Sequence, residues 1–303
     1  MSTKSIKQIH ELVKQRNEAF IGERNVYYCR ENERECLDRK RSSLGKRGAE
    51  IVKSKVNGEV IRSQKFEKTT KIDYVIHYEQ LIRLQEKLYL EEQIQHRRAT
   101  FYGGELKDDV ELTNAEAVKE EVVKTNLWIE SESNQKRENL SRSSYNPREA
   151  VRYAERWWND YNPNYKRFTD NCTNFISQCL RAGGGTMNGY PNRSKGWWYQ
   201  TNNWSFSWSV AHSMRWYLSG SQQGLRGEER SNVTELQPGD VICYDFNGDG
   251  RWQHTTIVVA KDENGEPLVN AQTTNSRMRY WKYEDSTAWT PNIKYKFFHI
   301  VNK

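Results

Sequence analysis

Apolar residues in the first forty positions recur at helical spacing. Ile6, Ile9, Leu12, Val13 and Phe20 fall on one face, with Lys, Gln and Glu between them. Cys29, Cys36 and Leu37 continue that face, and Gly45 and Gly48 mark its end, so a helical stretch is predicted over residues 3–40. From 49 to 112 the period shortens. Ile51-Val52 and Val60-Ile61 flank Asn57-Gly58, which predicts a hairpin turn there. Ile72, Tyr74, Ile76 and Tyr78 alternate with other residues, Leu88, Leu90 and Ile94 follow, and Gly103-Gly104 turns the chain before Leu106, Val110 and Leu112. This predicts a curved antiparallel sheet of about four strands with the first helix packed on it, a small α+β unit over residues 1–128.

Polar sequence follows. Thr113 and Glu116 have capping-box spacing, which predicts a short helix, and residues 129–145 read as a linker. A second unit over 146–303 opens on Asn146 as N-cap, with Pro147 in the first turn and Glu149 three residues after the cap. Val151, Ala154, Trp157 and Trp158 form its apolar face. Asp170 is expected to cap a second helix, 171–182, with Phe175, Ile176, Cys179 and Leu180 inward and Gly183-Gly184-Gly185 as its stop. A Trp-rich loop runs from Tyr190 to Ser207, then a helix over about 208–218. Strands are predicted at 240–246, 252–260, 267–273, 278–283 and 294–301, with turns at Asp245–Gly250 and Asn264-Gly265.

Composition narrows the class. The chain has 303 residues, enough for about two domains. It holds 11 Trp and 12% aromatics, which excludes wholesale disorder. All Trp but Trp128 lie beyond residue 150, so the two units differ in kind. Mean hydropathy is −1.01 and no apolar run approaches the ~20 residues of a membrane span, so no integral membrane segment is expected. The net charge is +7, but no clustered Lys/Arg run interleaved with aromatics marks the second unit, and nucleic acid is not expected as a partner. The N-terminus has no apolar stretch of signal-peptide type, and the Cys count is odd at five. Reduced thiols in the cytoplasm are the expectation.

The chemistry concentrates in the second unit. Cys172 falls in the first turn of its helix, where the helix dipole favours a thiolate and unpaired amides can take an oxyanion. Cys179 lies on the apolar face and reads as packing. His254, at the start of a strand after a tight turn, is the candidate base. Asn270 and Gln272, two apart on the next strand, are candidates to orient its imidazole. Trp197, Trp198 and Trp204 either line a substrate groove beside Cys172 or fill the core. Asp245, Asn247 and Asp249 match the first half of a calcium loop, but Thr256 stands where a bidentate Glu would close it, so a plain turn is favoured. No zinc spacing is present.

Taken in order, Asp170-Asn-Cys172-Thr-Asn174-Phe175, Gly-Gly, Trp197-Trp198, Ser207-Trp208, Pro238-Gly-Asp240, His254-Thr-Thr-Ile-Val and Asn270-Ala-Gln-Thr resemble an amidase domain family of spore-forming Firmicutes, itself similar to CHAP amidases and NLPC-type cell-wall peptidases. The resemblance covers about 146–300. It implies a papain-like fold, Cys172 as nucleophile, His254 as base, and Asn270 as third member, with Gln272 the alternative. It further implies a structural turn at Asp240, hydrolysis of an amide in peptidoglycan or muropeptides, and access to the wall during sporulation or on lysis. Asp170 and Asn171 are candidates for oxyanion or site support, and no cofactor is expected. The competing readings are a non-catalytic wall- or glycan-binding protein on the same fold, and an acyl transferase using Cys172.

Overall fold

The computed structural model describes residues 3–22, 30–112 and 145–302. Cys29, Trp128, the expected capping-box helix at Thr113 and the linker up to residue 144 lie outside them.

The predicted N-terminal helical stretch is two helices, α1 (Thr3–Ile21) and α2 (Glu31–Arg47). Gly45 lies inside α2; the stop is Gly48, whose φ of 70° makes it a left-handed cap, with its N–H returning 3.1 Å to the Gly45 carbonyl. Four long strands follow: β1 (Ala49–Phe66), β2 (Thr69–Leu84), β3 (Lys87–Tyr102) and the shorter β4 (Glu105–Glu111). The expected hairpin at Asn57-Gly58 is absent. Both residues sit inside β1, opposite His77 and Ile76, and the chain turns instead at Glu67-Lys68. The unbroken ladder to β2 outweighs the local turn preference of the dipeptide. The Gly103-Gly104 turn forms as expected, with both φ values positive. Ile72, Tyr74 and Ile76 on β2 meet Ile9, Leu12 and Val13 on α1 in one core.

The second half opens on α3 (Pro147–Trp157), where Asn146 Oδ1 accepts the Arg148 N–H at 3.1 Å. Next come α4 (Cys172–Ala182), ended at Gly183, the two-residue strands β5 (Tyr199–Gln200) and β6 (Asn203–Trp204), α5 (Phe206–Ser209) and α6 (Ala211–Gly220). The predicted helix over 208–218 is thus broken at Val210, an extended residue between α5 and α6. Six strands complete the chain: β7 (Leu225–Arg230), β8 (Val241–Asp245), β9 (His254–Lys261), β10 (Pro267–Ala271), β11 (Ser276–Tyr280) and β12 (Lys294–Asn302).

These strands join the first four in one antiparallel sheet, ordered β1-β2-β3-β11-β10-β9-β8-β12-β7, with β4 also on β3. The join is at β3 and β11, where Ser276 opposes Gln93 and Arg277 opposes Glu92. The expected α+β class, a helix then a sheet followed by helices on an antiparallel sheet, is what the chain adopts. Alternation along β8 and β9 divides two cores. Val241, Cys243, Ile257 and Val259 face α3, α4 and α6, while Ile242, Tyr244 and Val258 pack on the opposite face with Val269, Trp281 and Tyr283. No helix among the described residues is long and apolar enough to cross a membrane.

Candidate active site

Helix α4 is buried along most of its length, and its first residue is Cys172. The cap differs from the sequence expectation. Asp170 is exposed and caps nothing; the N-cap position belongs to Asn171, whose side chain makes no capping bond. Thr273 caps the helix from outside instead. Its Oγ1 accepts the N–H of Asn171 at 3.0 Å and that of Cys172 at 3.1 Å. One amide expected to be open for an oxyanion is therefore already engaged. Thr273 holds φ at 95°, an uncommon conformation for a β-branched residue and one that concentrates at functional sites. The Asn171 side chain braces the loop, donating to Gln272 Oε1 at 2.5 Å and accepting from Phe168 N and Asn174 Nδ2 at 2.9 Å.

His254 is the first residue of β9. The neighbours of Cys172 and His254 join the two elements: Thr173 Oγ1 lies 3.1 Å from Thr255 Oγ1. Cys172 and His254 then line a single cleft of about 1140 Å³, together with Asp170, His212, Trp252 and Tyr283. Within it each holds a separate partner. Cys172 Sγ is 3.7 Å from Thr173 Oγ1, and His254 Nε2 is 3.2 Å from Tyr283 OH.

Burial governs both groups. It raises the Cys172 thiol above its ordinary value; the Thr173 hydroxyl and nearby amides oppose this, and Asp170 adds to it. The thiolate preference expected from the helix dipole is therefore overridden by desolvation. Burial also pushes His254 down to about 3, aided by the Arg279 guanidinium. At neutral pH both groups on the cleft are neutral, a thiol and an imidazole, and desolvation weakens the imidazole's affinity for a proton.

The two candidates for orienting His254 are placed elsewhere. Asn270 is fully buried; its Nδ2 donates to Glu155 at 2.8 Å and its Oδ1 accepts from Met278 N at 2.9 Å. Gln272 lies just past the end of β10 and donates to the carbonyls of Trp157 and Asp160 at 2.6 and 2.8 Å. Both fasten the sheet to α3 and its following loop. The group at the imidazole is Tyr283, which sequence reasoning missed. It sits 29 residues from His254 in a turn with φ of 57°, so no local pattern announces it. Tyr283 in turn rests on Arg279, whose guanidinium lies 3.9 Å over the ring, and Arg279 is bound to Asp285 at 2.7 and 2.9 Å. Helix α2 grips this segment: Lys40 Nζ reaches Asp285 at 3.2 Å and is also paired with Glu91, while Arg39 donates to the carbonyls of Glu284 and Ser286 at 2.6 and 3.1 Å.

The tryptophans divide differently from the groove reading. Trp197 and Trp198 are buried, with their indole N–H groups bonded to Ser177 Oγ and to the carbonyls of Asn192 and Lys195. Trp204 is half-buried under Lys166 and Arg193. None of the three lines the cleft; Trp252, buried at its wall, does. The Asp245–Gly250 loop is a turn whose carboxylate is occupied: Asp245 accepts the N–H of Gly248 at 2.8 Å and of Gly250 at 2.7 Å, and Asp249 accepts that of Arg251. No group of three or more His, Cys, Asp or Glu side chains placed to hold a metal ion occurs among the described residues. Asp240 accepts from the amides of Gln237 and Ile300, fixing the Pro-Gly-Asp turn.

The family described as "Putative amidase domain" matches residues 144–298, about half of the chain and the half that carries the cleft's Cys172 and His254. A Bacillus subtilis (strain 168) protein, "Uncharacterized protein YhbB", is 52% identical over 270 residues, covering 88% of this chain and 86% of its own. A second from the same organism, "Uncharacterized protein YjcM", is 31% identical over 137 residues, covering 42% of this chain and 30% of its own. No solved structure matches the chain. The chain belongs to this amidase-domain family.

Proposed function

We propose that the protein is a cysteine-dependent amide hydrolase acting on peptidoglycan or muropeptides, on a papain-like arrangement. The observation that carries this reading is the convergence of Cys172, at the start of a buried helix, and His254, at the start of the strand behind it, on one cleft. The wall substrate rests on the similarity of the cleft's motifs to cell-wall amidases.

In this reading the His254 imidazole carries its proton on Nε2, donated to Tyr283 OH, which leaves Nδ1 as the base. Cys172 Sγ attacks the amide carbonyl while its proton passes to His254. The tetrahedral intermediate collapses, His254 gives the proton to the leaving amine nitrogen, and a thioester remains on Cys172. Water, deprotonated by His254, then attacks the thioester. The carboxylate product leaves and the thiol is restored. Tyr283 takes the orienting role that the sequence resemblance assigned to Asn270. No cofactor enters these steps.

The test is amine release from purified muropeptides. New amines with wild-type protein, and none with Cys172→Ala or His254→Ala, support the assignment. Release that persists in Cys172→Ala overturns it. Binding without release by wild-type protein selects the non-catalytic reading.

A further inference from the structure

A second cavity, of about 70 Å³, adjoins the cleft; Thr274, Arg279 and Ser286 line both. Its remaining wall comes largely from the N-terminal half, which the amidase match does not cover and the mechanism does not use. The wall is densely charged, and almost every charge is matched. Arg16 and Arg97 both bind Asp109 Oδ1, at 2.6 and 2.7 Å, and both reach Glu33. Lys40 is held by Glu91 and Asp285, and Arg279 by Asp285. These four wall cations thus pair with four carboxylates, of which Glu33 and Asp285 line the cavity and Asp109 and Glu91 lie behind it.

Glu111 is the fifth carboxylate. It lines the cavity, with no hydrogen bond or ion pair to any group of the described residues. Arg97, opposite it in the ladder, is already committed to Asp109 and Glu33. Burial raises the carboxyl above its ordinary range; Arg97 opposes this, Glu33 reinforces it, and Arg279 and Arg16 oppose it further, none of the three arginines close enough for an ion pair. An unmatched acid in a shielded charge network is a site that a cation would complete. The volume selects the cation. It has room for only a few water-sized groups, so it admits an ammonium with its adjoining methylenes and no sugar ring. An ammonium has three protons to place, and Gln93 and Thr274, which line the same cavity as Glu111, offer acceptors.

We propose that this cavity binds a primary ammonium group of a peptide substrate whose scissile amide lies in the adjoining cleft, an inference that rests on the amide-hydrolase reading. The N-terminal half would then select substrate for a reaction carried out by the other half.

The experiment uses the full chain and two preparations of one muropeptide, with its free side-chain amine intact or acetylated. Acetylation should lower kcat/KM at least tenfold, mainly through KM. Glu111→Gln should lower kcat/KM for the free-amine substrate by a similar factor and so abolish the preference between the two substrates. Equal use of both substrates by wild-type protein overturns the subsite while leaving the hydrolase standing, as does a Glu111→Gln protein that keeps the amine preference. The substrate comparison needs no variant to fold. Calorimetric binding to Cys172→Ala separates the two readings. Amine-dependent binding without any wild-type turnover supports the subsite and overturns the hydrolase, whereas absence of both overturns both.

Discussion

Asp285 is where the N-terminal half is tied to the residue that holds His254, and its removal has a calculable consequence. Its Oδ1 receives two bonds from Arg279, at 2.7 and 2.9 Å, and its Oδ2 one from Lys40 at 3.2 Å. The three side chains are 14%, 3% and 8% exposed, so solvent screening is slight. Burial opposes the Asp285 charge, but Arg279 and Lys40 outweigh it and hold the carboxyl well below the usual range. In Asp285→Asn, Lys40 keeps Glu91, whereas Arg279 loses the carboxylate that neutralises it. Breaking a buried pair from one side costs about 3–5 kcal/mol. The retained amide oxygen still accepts one bond, so the low end, about 3 kcal/mol, is expected, a large part of a typical 5–15 kcal/mol stability. The assay is urea unfolding at pH 7, read as a lower midpoint at unchanged slope. Removing both charges, in Asp285→Asn with Arg279→Met, should recover most of the loss, because no uncompensated cation remains. The carboxyl's folded value is depressed, so its contribution is present above the unfolded value of about 4 and fades as pH falls below it. The gap between variant and wild type should close on acidification. A loss under about 1 kcal/mol, or a double variant as weak as the sum of the singles, would refute the reasoning.

Further outcomes follow from the same site. Iodoacetamide should label Cys172 faster than Cys179 or Cys243, because only Cys172 lines the cleft, yet its rate should still be climbing at pH 9, since burial raises the thiol. A rate already level at pH 7 would show a thiolate that burial does not permit. His254, pushed down to about 3, stays neutral when the unfolded chain protonates near 6.5, so stability should fall as pH drops through that window, by roughly 2 kcal/mol at pH 5, and His254→Gln should flatten the fall. An unchanged slope in that variant would place the titration elsewhere. Tyr283→Phe should reduce kcat about tenfold, the scale of one lost orienting hydrogen bond, and shift the acid limb of the pH profile, whereas Asn270→Ala should act on stability; the reverse pattern would return the orienting role to Asn270.

What the sequence made legible was what short-range chemistry controls. The α1 face, the Asn146 cap, the Gly48 and Gly183 stops and the Gly103-Gly104 turn each depend on neighbours within a few residues. Where long-range pairing competes with a local signal, reading failed. Asn57-Gly58 is a turn dipeptide held straight by β2, and β7, Arg-Gly-Glu-Glu-Arg after its first Leu, is a charged edge strand with no apolar period to reveal it. The candidate site shows the same division. Cys172 and His254 stand at the ends of recognisable elements. The groups that set their environment are distant in sequence: Thr273 displaces Asp170 as the cap, Tyr283 stands where Asn270 was expected, and α2 reaches Asp285 from 245 residues away. Trp197 and Trp198 carry no mark in sequence that separates core from groove; their satisfied indole N–H groups decide it.

The central claim is a thioester on Cys172. Wild-type protein mixed with muropeptide and quenched in acid within the first turnover should carry an acyl mass on the peptide containing Cys172, released by hydroxylamine and absent from Cys172→Ala. Turnover with no adduct on Cys172 at any quench time, or an adduct that persists in Cys172→Ala, would contradict the account.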